Sequence, residues 1–529
     1  MVLPLVALGC TPDEPLNPAT LPPDWTNSTS TNPTLARQAL VYRQHVIFGR
    51  HLQPDVILLI IAIWKSILWI PCAALIFLWC RALYGLSSAW LVTTILLIEP
   101  TVAAHIPTAA VDIFSAEALV FMSFFAWRYF VVPRLWRLVL LTGAVASVML
   151  IKNSGIIAPA IVLIVAIGHW FIHPLMRDTR WEAIRPTLRA RLNTILLSGL
   201  LVIFWIWILL LFDVSRPRNF SWPLSYTNPH SFFATYVDPL FNRNWPAGLY
   251  IGSVIGAVQH SQSGHWAYLL GHHKIGGWWY YFPVVATFKI PIGIGIVMLA
   301  GLASLRRYRP RWEEWFILVP MLAWMAMLMA STINVGFRHM LPPYLLMLML
   351  AGRCLAFPGI VWKTVAWLGT VAAAVHTISY HPDYLSYINF PRNKPYLSIN
   401  DSNLDWGQSF KEIAHWIDEH PQGNRPIYFA YYFTSQPTNI WYYLGDRVQQ
   451  ITRTESPPTH GVLIISPIWV AGIYYESDNY GQLRDLDPGA VIGHSMLVYD
   501  LDKHAPPGEP FVWKSPIPRK IIGWNKSEQ

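Results

Sequence analysis

Long apolar runs decide what this chain can fold into. A helix needs about 20 consecutive apolar residues to cross a bilayer, and about ten stretches meet that test by hydropathy. They cover 55–80, 87–105, 113–131, 138–151, 155–173, 193–213, 278–305, 315–334, 340–357 and 361–379. The fourth is short and reads as a tilted or partial span. Of the 529 residues, 54% are hydrophobic and 13% charged, whereas a soluble domain carries roughly 25% charged residues. Trp and Tyr are abundant, as expected where aromatics anchor at membrane interfaces. The expected class is a polytopic α-helical membrane protein with a polar appendage.

Short loops set the orientation. Arg81, Arg128, Arg134, Arg137, Arg177, Arg180, Arg185, Arg189, Arg191, Arg306, Arg307, Arg309, Arg311, Arg353 and Lys363 fall on one side of the alternating spans. That side is expected to be cytoplasmic. The opposite short loops hold little beyond Lys152 and Arg338. Residues 1–53 then form an extracytoplasmic loop rich in Pro, Thr and Asn. Residues 54–379 form the membrane domain, with a long outer loop at 214–277. Residues 380–529 form an extracytoplasmic soluble domain, large enough for its own core. Within it, Lys411–Glu419 reads as a helix, and Pro426–Phe433 and Val462–Ile465 as strands of a small α/β unit. Nothing before residue 54 could carry the N-terminus outside, so a first helix is expected upstream of Met1. The net charge of +9 is spread over cytoplasmic loops and does not suggest nucleic acid. A basic rim could still help hold an anionic lipid head group. Cys10, Cys72, Cys80 and Cys354 show no metal spacing and imply no disulfide framework.

Polar residues gather where these runs end on the outer face. In His105-Ile106-Pro107-Thr108-Ala109-Ala110-Val111-Asp112, an acid follows a turn between two apolar stretches. Asp112 is either a helix cap or a general base, metal ligand or substrate ligand. Lys152, in Ile151-Lys152-Asn153-Ser154, is a solvated helix-end lysine or a partner of lipid phosphate or of an active-site acid. His265 lies in a Gly- and aromatic-rich run, Gly264–Gly271, that leads to Gly276-Gly277-Trp278-Trp279-Tyr280-Tyr281-Phe282 and an intramembrane Lys289. An interfacial belt explains the aromatics but not the glycines or Lys289. In Asn334-Val335-Gly336-Phe337-Arg338-His339, Arg338 either snorkels to the interface or clamps a phosphate with its fixed fork of donors. His339 could add a hydrogen bond or a proton. Asp401-Ser402-Asn403-Leu404-Asp405-Trp406-Gly407-Gln408 is a turn or cap by composition. Asp401, Asp405, Trp406 and Gln408 could also bind a sugar or a divalent cation, although the EF-hand pattern is absent. Asp13-Glu14 is an adjacent acidic pair in a turn-like string. No Ser/His/Asp triad, P-loop or dinucleotide fingerprint occurs.

Taken in order over residues 55–450, these segments resemble bacterial membrane glycosyltransferases of the family-39 type. That group belongs to the GT-C superfamily and is related to dolichyl-phosphate-mannose protein mannosyltransferases. The resemblance is carried by Arg81–Gly85, Glu99-Pro100 to Asp112, Leu150–Ser154, the Gly264–Pro291 run, Asn334–Pro342 and Asp401–Gln408. It implies a GT-C-like fold, a polyprenyl-phosphate sugar as donor, and a protein, lipid or glycan as acceptor. It also implies a bacterial inner-membrane location and hexosyl transfer; no cofactor is certain, and a divalent cation stays open. Asp112 is then the second acid of the site, with Arg338, His339 and Lys152 near the lipid phosphate. The principal acid of such families is often in an Asp-Glu pair of the first outer loop. It is either Asp13 or Glu14 or a residue upstream of Met1. Two other readings stay open. One is a transporter or lipid translocase, for which Lys65 and Lys289 would be the intramembrane charges. The other is an N-truncated, non-catalytic relative.

Overall fold

The structure is a computed structural model and describes residues 53–172, 188–217, 243–356, 359–431, 437–451, 455–474 and 478–514. Asp13 and Glu14, with the N-terminal segment expected to be a loop, lie outside the described residues. Among those described, five helical stretches are long and apolar enough to cross a membrane: Pro54–Tyr84, Asp112–Val131, Asn153–Ile172, Leu188–Leu209 and Trp312–Ala330. Several other apolar runs are broken by proline or by a tightened turn. The run 87–105 divides at Glu99-Pro100, 278–305 divides at Ile290-Pro291, and 340–357 ends in a 3₁₀ turn. Proline lacks the N–H that would continue the ladder, which is why the breaks fall there.

Helix α1 (Pro54–Tyr84) buries a stripe of Ile57, Ile61, Lys65, Trp69, Cys72, Ile76 and Cys80. Its other flank exposes Leu59, Ile63, Ile70 and Leu78. A helix apolar on every side is stable where the outer side meets lipid. α2 (Leu86–Ile98) folds back on α1, and the short α3 (Pro100–His105) follows. α4 (Asp112–Val131) packs on α5 (Leu135–Ile151). α6 (Ala158–Ile167) and α7 (Leu188–Leu209) come next, and α7 leans on α5. α8 (Gly248–Ser263) lies within the long loop, followed by the hairpin β1 (Trp266–Leu269) and β2 (His272–Ile275). α9 (Tyr281–Lys289), α10 (Ile292–Arg307), α11 (Trp315–Ala330), α12 (Leu341–Ala351) and α13 (Ile360–Ile378) complete the bundle. α12 is the central rod: nearly all of its residues are buried, from Leu341 through Ala351. It packs on α4, α10 and α11.

Residues after α13 carry a five-stranded mixed sheet. β3 (Ile427–Ala430) pairs in parallel with β4 (Gln449–Gln450) and β5 (Val462–Ile465), and β5 pairs antiparallel with β7 (Met496–Asp500), which pairs with β6 (Ala490–Ile492). Helix α14 (Phe410–Glu419) buries Phe410, Ile413 and Ile417 against one face, as its apolar spacing requires. Three ties seat this unit on the helices. Asp55 in the first turn of α1 pairs with Lys411 at 2.9 Å and accepts from the Tyr443 hydroxyl at 2.7 Å. Asn403 Oδ1 accepts the Phe337 N–H at 2.9 Å, and Ser402 Oγ donates to the Val335 carbonyl at 2.7 Å. A Cβ at Gly336 would run into the Ser402 hydroxyl and displace this hydrogen bond.

The third tie is Lys289. Its ammonium is 2% exposed and donates 2.8 Å hydrogen bonds to the carbonyls of Leu385, Tyr387 and Asn403. These are all the donors an ammonium has. The lysine therefore staples the segment after α13 to the end of α9. Lys289→Met would leave the carbonyls unpaired in a dry place, at a cost of about 3 kcal/mol. The expected result is a clear fall in the thermal unfolding midpoint of the purified chain in detergent. An unchanged midpoint would show that water reaches these carbonyls.

Candidate functional site

Three segments far apart in sequence meet at one end of the helical core. Asp112 opens α4, Lys152 follows α5, and Arg338 and His339 sit in the 3₁₀ turn Phe337–Met340 that leads into α12. Asp112 is 3% exposed, and its Oδ1 accepts from Lys152 Nζ at 2.6 Å. Its Oδ2 stands 3.7 Å from Arg338 Nη1. Asp112 is thus the shared counter-ion of two cations; it lies in the first turn of α4, where the N-cap residue is Val111. Lys152 also reaches His339 Nδ1 at 3.4 Å. Burial holds the His339 imidazole well below its ordinary pKa, and the neighbouring Lys152 and Arg338 push the same way. The ring is therefore neutral. With Nδ1 facing an ammonium donor, its proton belongs on Nε2.

Two donors are left over. Arg338 Nε and His339 Nε2 are both buried with no hydrogen-bond partner among the described residues. Buried donors are expected to be paired, so this pair lacks an acceptor. The Arg338 guanidinium also lies 4.3 Å from the centroid of the Trp406 ring, in cation–π geometry. Trp406 thereby fixes which way the fork of donors is presented.

The loop that delivers Asp112 is itself held from below. Lys65, in the middle of α1 and 1% exposed, donates to the carbonyls of His105 at 3.1 Å, Ala110 at 2.9 Å and Thr108. Lys65 and Lys289 therefore play the same part, each gathering carbonyls of a segment that borders the site. Neither behaves as an unpaired charge on a transport path. The two glycines before α9 find a similar explanation. Gly276 and Gly277 both take positive φ, and a Cβ at Gly277 would overlap the Asn334 side chain.

A cavity of about 850 Å³ opens at this cluster. Asp112, Lys152, Arg338 and His339 line it, as do Trp406 and Gln408. Gln408 is also a brace: its Oε1 accepts the Trp406 N–H at 2.8 Å, and its Nε2 donates to Ser386 Oγ and the Leu404 carbonyl at 3.0 and 2.9 Å. The sequence reading missed Asp383, Glu412 and Tyr431, which also line the cavity. Asp383 is held by His494 at 3.0 Å. Glu412 Oε2 has no partner among the described residues. Burial, with Asp383 nearby, raises the Glu412 carboxyl above its usual range. Asp383 could have been flagged as an acid directly after the last apolar run. Glu412 gives no signal in sequence, since it sits in an ordinary amphipathic helix.

The other expected residues lie apart from the cavity wall. Asp405 is an internal brace, accepting from Ser466 Oγ at 2.8 Å, the Gly407 N–H at 3.1 Å and the Tyr431 hydroxyl at 3.2 Å. Asp401, at positive φ, accepts from the Tyr474 hydroxyl and the Ser402 N–H. Burial raises the pKa of both acids. His265 has Nδ1 2.8 Å from the Trp266 carbonyl and its ring against His260 and Tyr474. Among the described residues no group of three or more His, Cys, Asp or Glu is arranged for a metal ion.

No family model matches the sequence, and no curated protein matches it. Among solved structures the chain is similar to ArnT from Cupriavidus metallidurans bound to undecaprenyl phosphate, at 12% identity and a TM-score of 0.41, covering 87% of this chain and 86% of that one. It is similar to ArnT from the same organism in the apo state at 12% identity and a TM-score of 0.37, with the same coverage. At those values neither likeness assigns a family or an activity to this chain.

The geometry makes Lys152 and Asp112 an interdependent pair. Lys152→Met would leave a buried carboxylate with only Arg338 at the longer distance, at a cost of about 3 kcal/mol. Adding Asp112→Asn should return part of that loss, because removing both partners costs less than orphaning one. A double-mutant cycle on thermal unfolding in detergent reads the coupling. Strictly additive effects would mean the two side chains are not paired.

Proposed function

We propose that this chain is a membrane glycosyltransferase that takes a sugar from a polyprenyl-phosphate donor. The observation that carries the reading is the pair of buried, unpartnered donors, Arg338 Nε and His339 Nε2, beside Lys152 and at the start of α12. Such a set suits a phosphate: a forked guanidinium, an ammonium and a neutral imidazole N–H all favour anionic oxygens. Apolar helices flank it, so a lipid-linked phosphate could arrive from the bilayer. The ordered resemblance to family-39 segments supports the same donor class. The GT-C-like arrangement of about ten spans belongs to this reading, as do the outer-face position of the cavity in a bacterial inner membrane and the extracytoplasmic placement of residues 380–529.

In this mechanism Asp112 is the counter-ion that sets Lys152 and Arg338. A carboxylate between two cations is a weak proton acceptor. Its task is to keep both cations aimed at one place. The acceptor hydroxyl loses its proton to another carboxylate, and its oxygen attacks the anomeric carbon. The bond from that carbon to the phosphate oxygen breaks. The negative charge that grows on the leaving polyprenyl phosphate is met by Arg338, Lys152 and His339. Glu412 is the cavity carboxylate with a free oxygen and a raised proton affinity, which suits the base. Asp13 or Glu14, outside the described residues, is the other source of that carboxylate. The sugar and the acceptor stay unassigned.

Transfer from a radiolabelled polyprenyl-phosphate sugar tests the assignment. Asp112→Asn should cut kcat/KM by roughly a hundredfold or more, about what misplacing the groups that meet the leaving phosphate costs. Full activity in that variant would sink the role. Because burial raises the Glu412 pKa, its basic form is lost at a higher pH than in an exposed glutamate. The acidic limb of the kcat profile should therefore lie above the ordinary glutamate range, and Glu412→Gln should remove it with little change in donor KM. A Glu412→Gln enzyme with an unaltered profile would move the base to the N-terminal loop.

A further inference from the structure

A second cavity, of about 180 Å³, lies beside the first. Nothing in the glycosyl-transfer reading uses it. Asp383 lines the large cavity and His494 lines the small one, and the 3.0 Å contact between them stands in the wall the two share. His494 is delivered by the tight Gly493-His494 turn between β6 and β7, where both residues take positive φ. The turn is packed close, since a Cβ at Gly493 would collide with the Ser409 side chain. The His494 ring lies on Tyr380, with centroids 4.7 Å apart.

Two basic side chains, Arg392 and Lys394, reach this cavity from the loop after α13. Arg392 is exposed and has no hydrogen-bond or ion-pair partner among the described residues; its guanidinium stands 5.9 Å from the Tyr380 ring. Lys394 lines the wall and is partly committed, to the Arg484 carbonyl and to Asp487, both at 3.0 Å. Asp487 and Asp383 are the carboxylates that face these cations, and Asp487 is 84% exposed. Exposed apolar side chains flank these residues: Val491 on β6, which lines the cavity, Phe390 two residues before Arg392, and Ile378 at the end of α13, two residues before Tyr380. Phe390 also touches Phe288 of α9. Cations with an apolar fringe at the end of an apolar helix form the pattern of a lipid headgroup site at a membrane surface.

We infer that the cavity lined by Arg392, Lys394 and His494 is a second phosphate site, for the phosphoester headgroup of a membrane lipid, separate from the Lys152–Arg338–His339 cluster. Arg392 supplies the free fork of donors, and Phe390, Val491 and Ile378 meet the start of the acyl chains. The inference rests on the chain lying in a membrane and not on the transfer chemistry.

Native mass spectrometry of the full chain, titrated with phosphatidylglycerol and separately with inorganic phosphate, tests it. Arg392→Glu reverses an exposed charge that makes no hydrogen bond or ion pair among the described residues, so the variant should fold. It is expected to bind phosphatidylglycerol at least tenfold more weakly than wild type, since each basic side chain at such a surface is worth about a factor of five. Arg338→Gln should keep this binding, which separates the two sites. Displacement of the lipid by inorganic phosphate would mean that the phosphate group alone is recognised. Retention would mean that the acyl fringe contributes, and both outcomes support a phosphate site here. Equal binding of both probes by wild type and Arg392→Glu would overturn it. So would loss of binding in Arg338→Gln with none in Arg392→Glu.

Discussion

A buried carboxylate is tolerable only where cations and hydrogen bonds replace its water, and Asp112 is the point at which this chain meets that demand. Lys152 and Arg338 come from segments separated in sequence by α6 to α11, and Asp112 draws them together. Arg338 in turn lies on Trp406, which belongs to the unit beyond the last apolar helix. One ion cluster thus relates α4, the end of α5, the start of α12 and the C-terminal sheet unit. The cluster has more donors than its single carboxylate can absorb, and its residues line a cavity.

Two lysines keep that cluster from drifting. Lys65 holds the turn before Asp112, and Lys289 holds the loop that carries the Asp401–Gln408 string. Each ammonium is surrounded by carbonyls that would otherwise be orphaned in an apolar setting. The cost of burying a charge is offset by the order it imposes on two irregular segments. A polar site at a membrane face needs irregular backbone, and irregular backbone there needs donors of this kind.

Much of this was legible in the sequence for a physical reason: apolar runs, short polar strings and their order are local properties. Asp112, Lys152, Arg338 and His339 stood out because charges are rare beside apolar helices. The strand Val462–Ile465 and the helix around Lys411–Glu419 followed from periodicity. What the sequence hid was pairing across distance. It could not show that Lys65 and Lys289 bond to carbonyls, because backbone acceptors leave no trace in residue type. It could not separate Asp405, consumed by Ser466 and Tyr431, from Trp406 one residue later, which faces the cavity. Glu412 was invisible because its helix repeats a common surface pattern, and only the docking of α14 over the cavity makes that position special.

The most direct measurement is a cryo-electron-microscopy structure of the full chain in a lipid nanodisc with a polyprenyl phosphate. The account predicts phosphate density within hydrogen-bond reach of Arg338 Nε and His339 Nε2, with Lys152 turned toward it and the prenyl chain running between apolar helices. A well-ordered lipid whose phosphate lies elsewhere, with those two donors still unpartnered, would contradict it.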